Sequence, residues 1–439
     1  MHDNSTKDAI LGKQTIADKK DKNHKLLVLG SNFGAVEIVQ AAKARGIYTI
    51  VTDYYDPSRS NAKKYADECW DISTTDTDLL ADRCREAGVT AVTCGVSEFT
   101  SEMTFHLCDK LGLPKYCSWE AWSYARNKRK FKDVCIANNV RVAQDYIIKD
   151  PKDPEQTKGI HFPVVVKPID CGGNSGVTFC NTQEELIQAF QKAREVTEHP
   201  ETIICEQRLE GREYAAGYAL ANGEASLIDV FSMHFQDGEP TNVYTLDCTS
   251  SGILDIYLSE IDEGIRNVFK DAGFTDGFVW IELMHDTDGH LYVLETGYRL
   301  TGGMLPYTFR DAAGFDAVNW YLDCFLGIRH SKEDLPVSQK SEYEKYGVSY
   351  LLWNNKGGEI KELIGFEKIE KDNRIDVVDF IRKPGYKLHP YSLMGEILFT
   401  CKNREEAVRL IHEINDTIQV LNTDGENVLI YFTGTEKIF

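Results

Sequence analysis

Short apolar runs alternate with amphipathic segments over the first part of the chain. The run KLLVLG ends in the turn Gly-Ser-Asn-Phe-Gly and is followed by residues 35–42, which are apolar at helical spacing. The run YTIVTD comes next. A strand, a glycine turn, a helix and a strand in this order predict a βαβ unit. Similar alternation continues to Leu111, so we predict a Rossmann-like α/β domain over residues 25–125.

The loops that follow the strands of this predicted sheet are candidates for ligand binding. Ligands of open α/β sheets bind at the carboxyl ends of the strands, and Ser97 and Glu98 follow the strand VTAVTCG. We therefore consider both residues as substrate contacts, although a serine at this place is also a typical helix cap. Gly30 and Gly34 do not complete the GxGxxG fingerprint, which argues against a dinucleotide site.

A glycine-rich loop after an apolar strand gives the next candidate site. Residues 119–138 predict one helix with a basic cluster, KRKFK, in which a cation could reach a phosphate. Lys167 then ends the strand FPVVVKP, and the loop CGGNSG follows at residues 171–176. The N–H groups of such a loop can bind phosphate oxygens beside the lysine. It is not the P-loop motif, in which the lysine follows the glycines, and a plain flexible turn is the alternative.

The strands after the next predicted helix suggest a nucleoside contact. Glu206, Gln207 and Leu209 lie where one strand leaves this segment and enters a following sheet, whose hairpin turns at Asn222-Gly223. A strand at such a hinge can bind adenine through a side-chain acceptor and backbone groups. Glu213, on the same ribbon, is placed for the ribose hydroxyls. Ordinary acids on a surface strand are the alternative.

The stretch GFVWIELMHDTDGHLYVLETGYRLTGG, residues 277–303, predicts a β-hairpin that turns at Asp288-Gly289. If these two residues are the centre of the turn, partners across the hairpin have numbers that add up to 577, as Glu282 and Glu295 do. Two carboxylates directly opposed are destabilising unless a cation lies between them. Oxygen ligands with open positions suit Mg²⁺ bound to a nucleoside triphosphate. An exposed hairpin whose acids face water is the alternative.

The hairpin is followed by a basic side chain and a flexible turn. Arg299 supplies a fixed cation four residues after Glu295. The turn Thr301-Gly302-Gly303 lets the backbone approach a substrate closely, so Gly302 and Gly303 are candidate substrate contacts. His234 is a further candidate for lining the substrate pocket, with a buried structural role as the alternative.

Composition excludes several classes of protein. The formal net charge of −20 over 439 residues argues against a nucleic-acid binder. The start of the chain does not have the pattern of a signal peptide, and no apolar run reaches 18 residues. Twelve cysteines without a CxxC pair indicate neither a zinc site nor a disulfide framework. We therefore expect no membrane partner, a cytoplasmic location and a mobile polar tail over residues 1–24.

The last hundred residues predict a small α+β domain. The composition becomes polar near residue 333, which we take as a domain junction. Strand and turn patterns follow, and then a helix that Asn403 is expected to cap, with Glu406 three residues on. Residues 333–439 show no catalytic constellation.

The order of these motifs resembles the ATP-grasp superfamily, most of all the branch of biotin carboxylase, carbamoyl phosphate synthetase and bacterial L-amino-acid ligases. The motifs are the βαβ unit, the Lys128 helix, Lys167 with its loop, the Glu206 hinge, the Glu282/Glu295 hairpin and Arg299. The resemblance implies an α/β and α+β multidomain protein with a pre-ATP-grasp domain at 25–125. An ATP-grasp domain would occupy 126–332, with a mobile lid at about 145–205, and a C-terminal domain 333–439.

The resemblance also implies a role for each site residue. Lys128 and Lys167 would bind the α- and β-phosphates, and Glu282 and Glu295 would bind Mg²⁺, with two ions in all and Mn²⁺ as an alternative. Arg299, with Lys167, would act in catalysis by neutralising the transition state. The loop over the triphosphate would consist of Gly172, Gly173, Asn174, Ser175 and Gly176, and the nucleoside contacts would be Glu206, Gln207, Leu209 and Glu213.

The implied reaction is the joining of a small-molecule carboxylate to an amine through an acyl phosphate, with release of ADP and phosphate. The family commonly has an asparagine ligand two residues after the second metal glutamate, and Gly297 stands there in this chain. An ATP-dependent carboxylase that uses carboxyphosphate and a non-catalytic ATP-binding protein are the alternatives. A homodimer is implied by analogy alone.

Overall fold

The structure is a computed structural model that describes residues 24–55, 60–169, 176–239, 243–249, 251–302, 305–380 and 383–438. The helices are α1 (Phe33–Ala44), α2 (Thr77–Ala87), α3 (Glu98–Leu111), α4 (Trp119–Arg126), α5 (Lys128–Ala137), α6 (Pro154–Thr157), α7 (Gln183–Val196), α8 (Leu254–Glu260), α9 (Asp262–Asp271), α10 (Leu305–Ala313), α11 (Ala317–Phe325), α12 (Phe366–Glu370) and α13 (Arg404–Thr417).

The strands are β1 (Lys25–Leu29), β2 (Tyr48–Thr52), β3 (Glu68–Trp70), β4 (Ala91–Cys94), β5 (Asp145–Tyr146), β6 (Val164–Pro168), β7 (Thr178–Cys180), β8 (Ile203–Gln207), β9 (Gly211–Ala221), β10 (Glu224–Gln236), β11 (Val243–Cys248), β12 (Gly277–Asp286), β13 (Leu291–Gly297), β14 (Tyr346–Asn354), β15 (Gly358–Ile364), β16 (Ile375–Phe380), β17 (Lys387–Leu388), β18 (Leu393–Cys401), β19 (Gln419–Asn422) and β20 (Leu429–Ile430). The predicted tail lies outside the described residues except for His24.

The first unit of the chain is a parallel sheet with the strand order β3-β2-β1-β4. All four residues of β4 are buried, as expected for a sheet covered on both faces by helices. The side chain of Asn32 accepts a hydrogen bond from the Ala35 N–H at the start of α1, and Ser97 accepts one from the Thr100 N–H at the start of α3. The predicted βαβ unit is confirmed, and Ser97 is a helix cap.

The predicted lid segment forms a separate antiparallel sheet with the order β5-β8-β6-β7. Its apolar side chains pack among themselves and on α7, because Val164, Val166, Leu186 and Phe190 are all buried in one cluster. This sheet therefore has a core of its own, distinct from the main core of the chain.

A nine-stranded sheet forms the centre of the molecule. Its order is β13-β12-β9-β10-β11-β14-β18-β16, and β20 also pairs with β14. The turn between β9 and β10 is the predicted Asn222-Gly223, and both residues have positive φ. The sheet continues past residue 333, because β14 pairs with β11 through Asp247 and Ser349. Strands from the predicted C-terminal region thus share one sheet with the predicted site hairpin.

The prediction of a single helix over residues 119–138 is wrong, because the structure has two helices there, α4 and α5. Asn127 has an extended conformation, with φ −110° and ψ 104°, and separates α4 from α5. Its side chain accepts a hydrogen bond from the Lys130 N–H at 3.0 Å, because asparagine satisfies a free N–H group better as a cap than inside a helix. Lys128 consequently lies at the first position of α5.

The helix predicted after Asn403 is confirmed. Asn403 accepts a hydrogen bond from the Glu406 N–H at 2.9 Å, and α13 buries Ala407, Leu410 and Ile414 against the strands. In the described part of the chain, no helix combines the length and the apolar character needed to cross a membrane.

Candidate functional site

The predicted pairing of Glu282 with Glu295 is confirmed, but the turn that produces it is different. Near the turn, His285 pairs with Leu291, and the loop has three residues instead of two. The register then shifts between Glu282 and Leu283. The longer loop moves the pairing by one residue, and the bulge moves it back by one. The two carboxylates therefore still face each other.

Three carboxylates gather on this hairpin and the neighbouring strand β9. Burial and then the charges of Glu295 and Glu213 raise the pKa of Glu282 well above its ordinary value. Burial raises the pKa of Glu213 to about 7; the hydrogen bond with Glu282 lowers it, and the like charge of Glu295 raises it further. Glu213 and Glu282 also share a hydrogen bond between their side chains. Simultaneous ionisation of these carboxylates is therefore unfavourable in the protein alone.

The donor set fits a divalent cation that is only partly held by protein. Glu282 and Glu295 offer carboxylate oxygens, and the repulsion at Glu282 is what a cation between the two groups would relieve. Within the described ranges, no group of three or more His, Cys, Asp or Glu side chains is arranged to hold a metal alone. Mg²⁺ typically takes one or two carboxylates and completes its shell with water and phosphate oxygens.

Lysines face the carboxylates from the lid sheet and from α5. Lys128 Nζ lies 3.5 Å from Glu295 Oε2, whose side chain is 40% exposed. Lys167 on β6 forms an ion pair with Glu206. Lys132 on α5 forms a second ion pair with Glu206, at 2.8 Å. The hairpin and the lid sheet therefore bring acids and bases together from three different elements.

Glu206 is the buried centre of this lysine cluster. It is 6% exposed, and although burial opposes ionisation, Lys167 and Lys132 hold the pKa of Glu206 below its ordinary value. Burial likewise disfavours the Lys167 ammonium, but Glu206 raises the pKa of Lys167. Both groups are therefore charged at neutral pH. Asp145 extends the cluster, because it binds Lys132 at 2.5 Å and also Arg129.

A small cleft lies between the lid sheet, α5 and β13. Its lining combines apolar side chains with the lysines and the acid just described, namely Lys128, Phe131, Lys132, Val142, Ala143, Lys167, Ile204, Glu206, Val293 and Leu294. An apolar lining with a few convergent charged groups is typical of a site for a small charged ligand.

The predicted contacts for a nucleoside lie at the edge of this region. The Gln207 N–H donates to the Gln144 carbonyl at 2.8 Å, so an adenine contact from Gln207 would have to use its carbonyl oxygen. Leu209 is buried, and Gly176 has φ +75°, with space for no side chain because a Cβ would lie 2.7 Å from Pro168. Gly172, Gly173, Asn174 and Ser175 lie outside the described residues.

Arg299 forms an ion pair with Glu98, which lies 201 positions earlier in the sequence. Its Nε lies 2.7 Å from Glu98 Oε1, and its Nη1 donates to the Leu300 carbonyl. Arg299 is 9% exposed. The structure thus joins the predicted catalytic arginine to one of the predicted substrate contacts, at the carboxyl edge of the parallel sheet.

Trp280 explains the glycine that departs from the family pattern. Trp280 pairs directly with Gly297 across the hairpin, and a Cβ at position 297 would lie only 2.2 Å from the indole Cε2. The guanidinium of Arg299 also lies over the indole, 5.3 Å from its centroid. The space that an asparagine side chain at 297 would need is therefore filled by a ring that supports Arg299.

Replacing Gly297 by asparagine is expected to destabilise the chain. The new side chain would collide with Trp280, and such overpacking costs about 1–3 kcal/mol. Urea unfolding would measure the change in the free energy of unfolding. Gly302→Asn is the matched control, since no atom lies within 4 Å of a Cβ built there. Equal stability of Gly297→Asn and the parent chain would contradict this account of the glycine.

His234 and the glycine turn lie apart from the acidic cluster. The His234 ring hydrogen-bonds to Ser232 Oγ at 2.9 Å and faces Phe432. Burial, and then Arg212, lowers the pKa of His234 to about 4. Gly302 is exposed, and Gly303 lies outside the described residues.

Sequence reasoning missed three residues of the site. Lys132 and Asp145 link the lid to α5, and Trp280 supports Arg299. Lys132 belongs to the basic cluster of the sequence but is buried, unlike a typical solvated lysine. Trp280 lies two positions before Glu282 on β12, so strand alternation places both side chains on the same face. This spacing could have predicted that Trp280 borders the site.

Comparison with known proteins gives one family match and several similar chains. Residues 160–306 match the model of the ATP-grasp domain. The 2-oxoglutarate carboxylase small subunit of Hydrogenobacter thermophilus is 24% identical over 90% of this chain and 86% of its own length. Other curated relatives are matched over 37% to 43% of their own length.

Two solved structures share the fold. An L-amino acid ligase from Bacillus licheniformis has a TM-score of 0.74 at 18% identity, over 91% of this chain and 99% of its own. The biotin carboxylase domain of the Hydrogenobacter thermophilus 2-oxoglutarate carboxylase, solved with MgADP and bicarbonate, has a TM-score of 0.74 at 20% identity, over 92% of this chain and 91% of its own.

Proposed function

Because the chain contains an ATP-grasp domain and has the ATP-grasp fold, we propose that it is an ATP-dependent ligase that joins a carboxylate to an amine. The observation that carries the proposal is the opposed pair of Glu282 and Glu295, which faces Lys128 at 3.5 Å. Two carboxylates that repel each other, with a lysine beside them, suit a metal–triphosphate bound at the same place. Arg299 lies at the end of the same hairpin.

Different side chains bind different parts of ATP. Lys128 and Lys167 bind its α- and β-phosphates, and Glu206 keeps Lys167 charged and in place. Glu206, Gln207 and Leu209 border the adenine, and Glu213 binds the ribose. Arg299 neutralises charge on the transferred phosphoryl group.

Glu282 and Glu295 are the residues that would hold Mg²⁺, in a site for two ions that Mn²⁺ would also fit. The ion supplies charge neutralisation on the phosphate oxygens when it is bound. The indole of Trp280 fills the space that a side chain at position 297 would need, so water or phosphate oxygens would have to complete the ligand set of a bound ion.

The reaction proceeds by two displacements. A substrate carboxylate oxygen attacks the γ-phosphorus of ATP, the bond to the β–γ bridging oxygen breaks, and ADP leaves. The amine nitrogen then attacks the carbonyl carbon of the acyl phosphate, phosphate leaves, and the nitrogen loses a proton to give the amide. Positioning and charge neutralisation suffice for both steps, so a nucleophilic side chain is not required.

A carboxylase that uses carboxyphosphate is the second candidate function. The similarity to the 2-oxoglutarate carboxylase small subunit over 90% of this chain favours it. The third candidate is a protein that binds ATP but no longer turns it over. The reason to consider it is Gly297, which stands where the family commonly has an asparagine ligand. A cytoplasmic location and a homodimer are further proposals by analogy with these families.

Release of ADP and phosphate from Mg-ATP is expected to require one carboxylate and one amine together. The measurement screens amino acids singly and in pairs, with bicarbonate as a separate condition. Release that needs bicarbonate and no amino acid would favour the carboxylase. ATP binding without release under any condition would favour the non-catalytic protein and would contradict the ligase.

A further inference from the structure

Lys132 is a buried lysine to which the proposed function gives no role. It lies on the buried face of α5 with Phe131 and Cys135, and it is 9% exposed. Lysine is almost never buried unless it is paired, since the removal of an ammonium group from water is costly. The other buried positions of this helix hold less polar side chains, so the packing of α5 alone does not explain a lysine here.

The partners of Lys132 are two acids of the lid sheet that lie directly opposite each other. Asp145 on β5 pairs with Glu206 on β8, and like charges at directly paired positions repel each other. Lys132 Nζ lies 2.5 Å from Asp145 Oδ1 and 2.8 Å from Glu206 Oε2. The ammonium group therefore bridges the two carboxylates and offsets their repulsion.

The carboxylate of Glu206 is bound by one lysine at each oxygen. Lys132 binds its Oε2, and Lys167 on β6 binds its Oε1. A side chain that binds a ligand needs its own partners to be held in place by further hydrogen bonds. Because Lys132 fixes one oxygen of the carboxylate, the other oxygen can hold Lys167 in a single position.

The charges of this cluster also depend on Lys132. Arg129 binds Asp145, so Arg129, Lys132 and Lys167 are three bases that meet two acids. Without Lys132, Arg129 would be matched by Asp145 and Lys167 by Glu206. Lys132 therefore supplies the positive charge by which the bases of the cluster exceed its acids, and an excess of positive charge favours binding of a phosphate.

The same helix contacts the hairpin of β12 and β13. Lys128 and Lys132 are four positions apart, and residues at this spacing lie on one face of a helix. Lys128 Nζ lies 3.5 Å from Glu295 Oε2 on the hairpin. Both lysines line the small cleft together with Lys167 and Glu206. Side chains one turn apart on α5 thus link the lid sheet to the hairpin.

We propose that Lys132 is a positioning residue of the ATP site, which holds Glu206 and, through it, Lys167. Lys132 acts through the glutamate and does not need to touch the nucleotide. This inference rests on the proposed function, because that function assigns Lys167 to the phosphates. The contribution of Lys132 to ATP affinity should then depend on the presence of the Glu206 carboxylate.

Titration calorimetry of the full chain with a non-hydrolysable ATP analogue and Mg²⁺ tests this dependence. Lys132→Met is expected to weaken binding about 5- to 10-fold, less than the loss of a lysine that contacts the phosphates, because its effect is indirect. In the Glu206→Gln background the same change is expected to alter the affinity less than about twofold. The double variant leaves no unmatched acid in the cluster, because Arg129 still binds Asp145.

Two further variants separate positioning from a general effect on α5. Lys132→Arg keeps the charge and the hydrogen-bond donors, and it is expected to bind within about threefold of the parent chain. Lys130→Met is the matched control on the same helix, because Lys130 Nζ binds Glu120 and Ser123 on α4, each at 2.6 Å. Its affinity is expected to equal that of the parent. Equal weakening by Lys132→Met in both backgrounds, or no weakening in the parent, would overturn the inference.

Thermal melting without nucleotide separates this inference from the proposed function. Lys132→Met is expected to lower the melting temperature of the parent chain and to lower that of Glu206→Gln by less. An equal fall in both backgrounds means that Lys132 does not hold Glu206, and the inference is then wrong, whatever nucleotide binding shows. If the two falls differ but the parent chain binds no ATP analogue, the positioning contact stands and the assignment of the ATP site fails.

Discussion

Glu295→Gln is expected to abolish Mg²⁺-dependent ATP turnover while the chain stays folded. Glutamine keeps the size of the side chain but removes the charge that opposes Glu282 across the hairpin. Loss of a metal-binding charge at the transferred phosphoryl group should lower kcat by on the order of 10²–10³. ADP release at saturating Mg-ATP measures the effect.

The same substitution should not lower stability. The Glu282 pKa is raised partly by Glu295. A raised carboxylate pKa means that ionisation is unfavourable in the folded state, so the cost to stability grows as the pH rises above the unfolded value of about 4.3. Glu295→Gln should therefore melt at or above the parent temperature at neutral pH. Glu260→Gln is a control, because Glu260 binds Arg141 and His290 outside the cluster. Full turnover in Glu295→Gln would remove Glu295 from the metal site.

Lys167→Met is expected to weaken ATP binding by about 10- to 100-fold, the usual range for a charged hydrogen bond. Methionine keeps most of the side-chain volume and removes the ammonium that Glu206 holds in place. Titration with a non-hydrolysable ATP analogue and Mg²⁺ measures the affinity. Lys158→Met, at an exposed pair with Glu155, is the control. An unaltered affinity would take Lys167 out of the phosphate site.

The lysine variant also predicts a change in the pH dependence of stability. The lowered pKa of Glu206 contributes stability above the unfolded value of about 4.3, and that stability is lost as the pH falls through the folded pKa. Lys167→Met leaves Lys132 as the lysine bound to Glu206, so the folded pKa moves closer to 4.3. The parent chain should lose more stability than the variant on acidification below about pH 5.

The hairpin shows how far local sequence could predict the site. The paired glutamates follow from strand alternation and an Asp-Gly turn. The three-residue loop and the compensating bulge could not be predicted, because pairing with β9 on the other side of β12 also restrains the register. The assumed two-residue turn was wrong, and the pairing was right because the two shifts cancel.

Contacts between distant segments were the part that the sequence could not reveal. Arg299 binds Glu98 across 201 positions, and Lys132 binds Glu206 across 74. The periodicity of a helix or strand relates only residues within the same element, and the two residues of each of these pairs lie on different elements. The break at Asn127 is different, because a capping residue was visible inside the predicted helix and its preference for a cap prevailed over the helical pattern.

The shared nine-stranded sheet limits how this chain could be recombined with its relatives. β14 pairs with β11 on one side and with β18 on the other. A chimera joined near residue 333 would have to rebuild the β11 edge, and an unpaired edge strand is prone to aggregation. The hairpin of Glu282 and Glu295 and the strands beyond residue 333 belong to this one sheet, so such a chimera would take them from different parents. Changes of specificity are therefore better sought by point substitution than by exchange of modules.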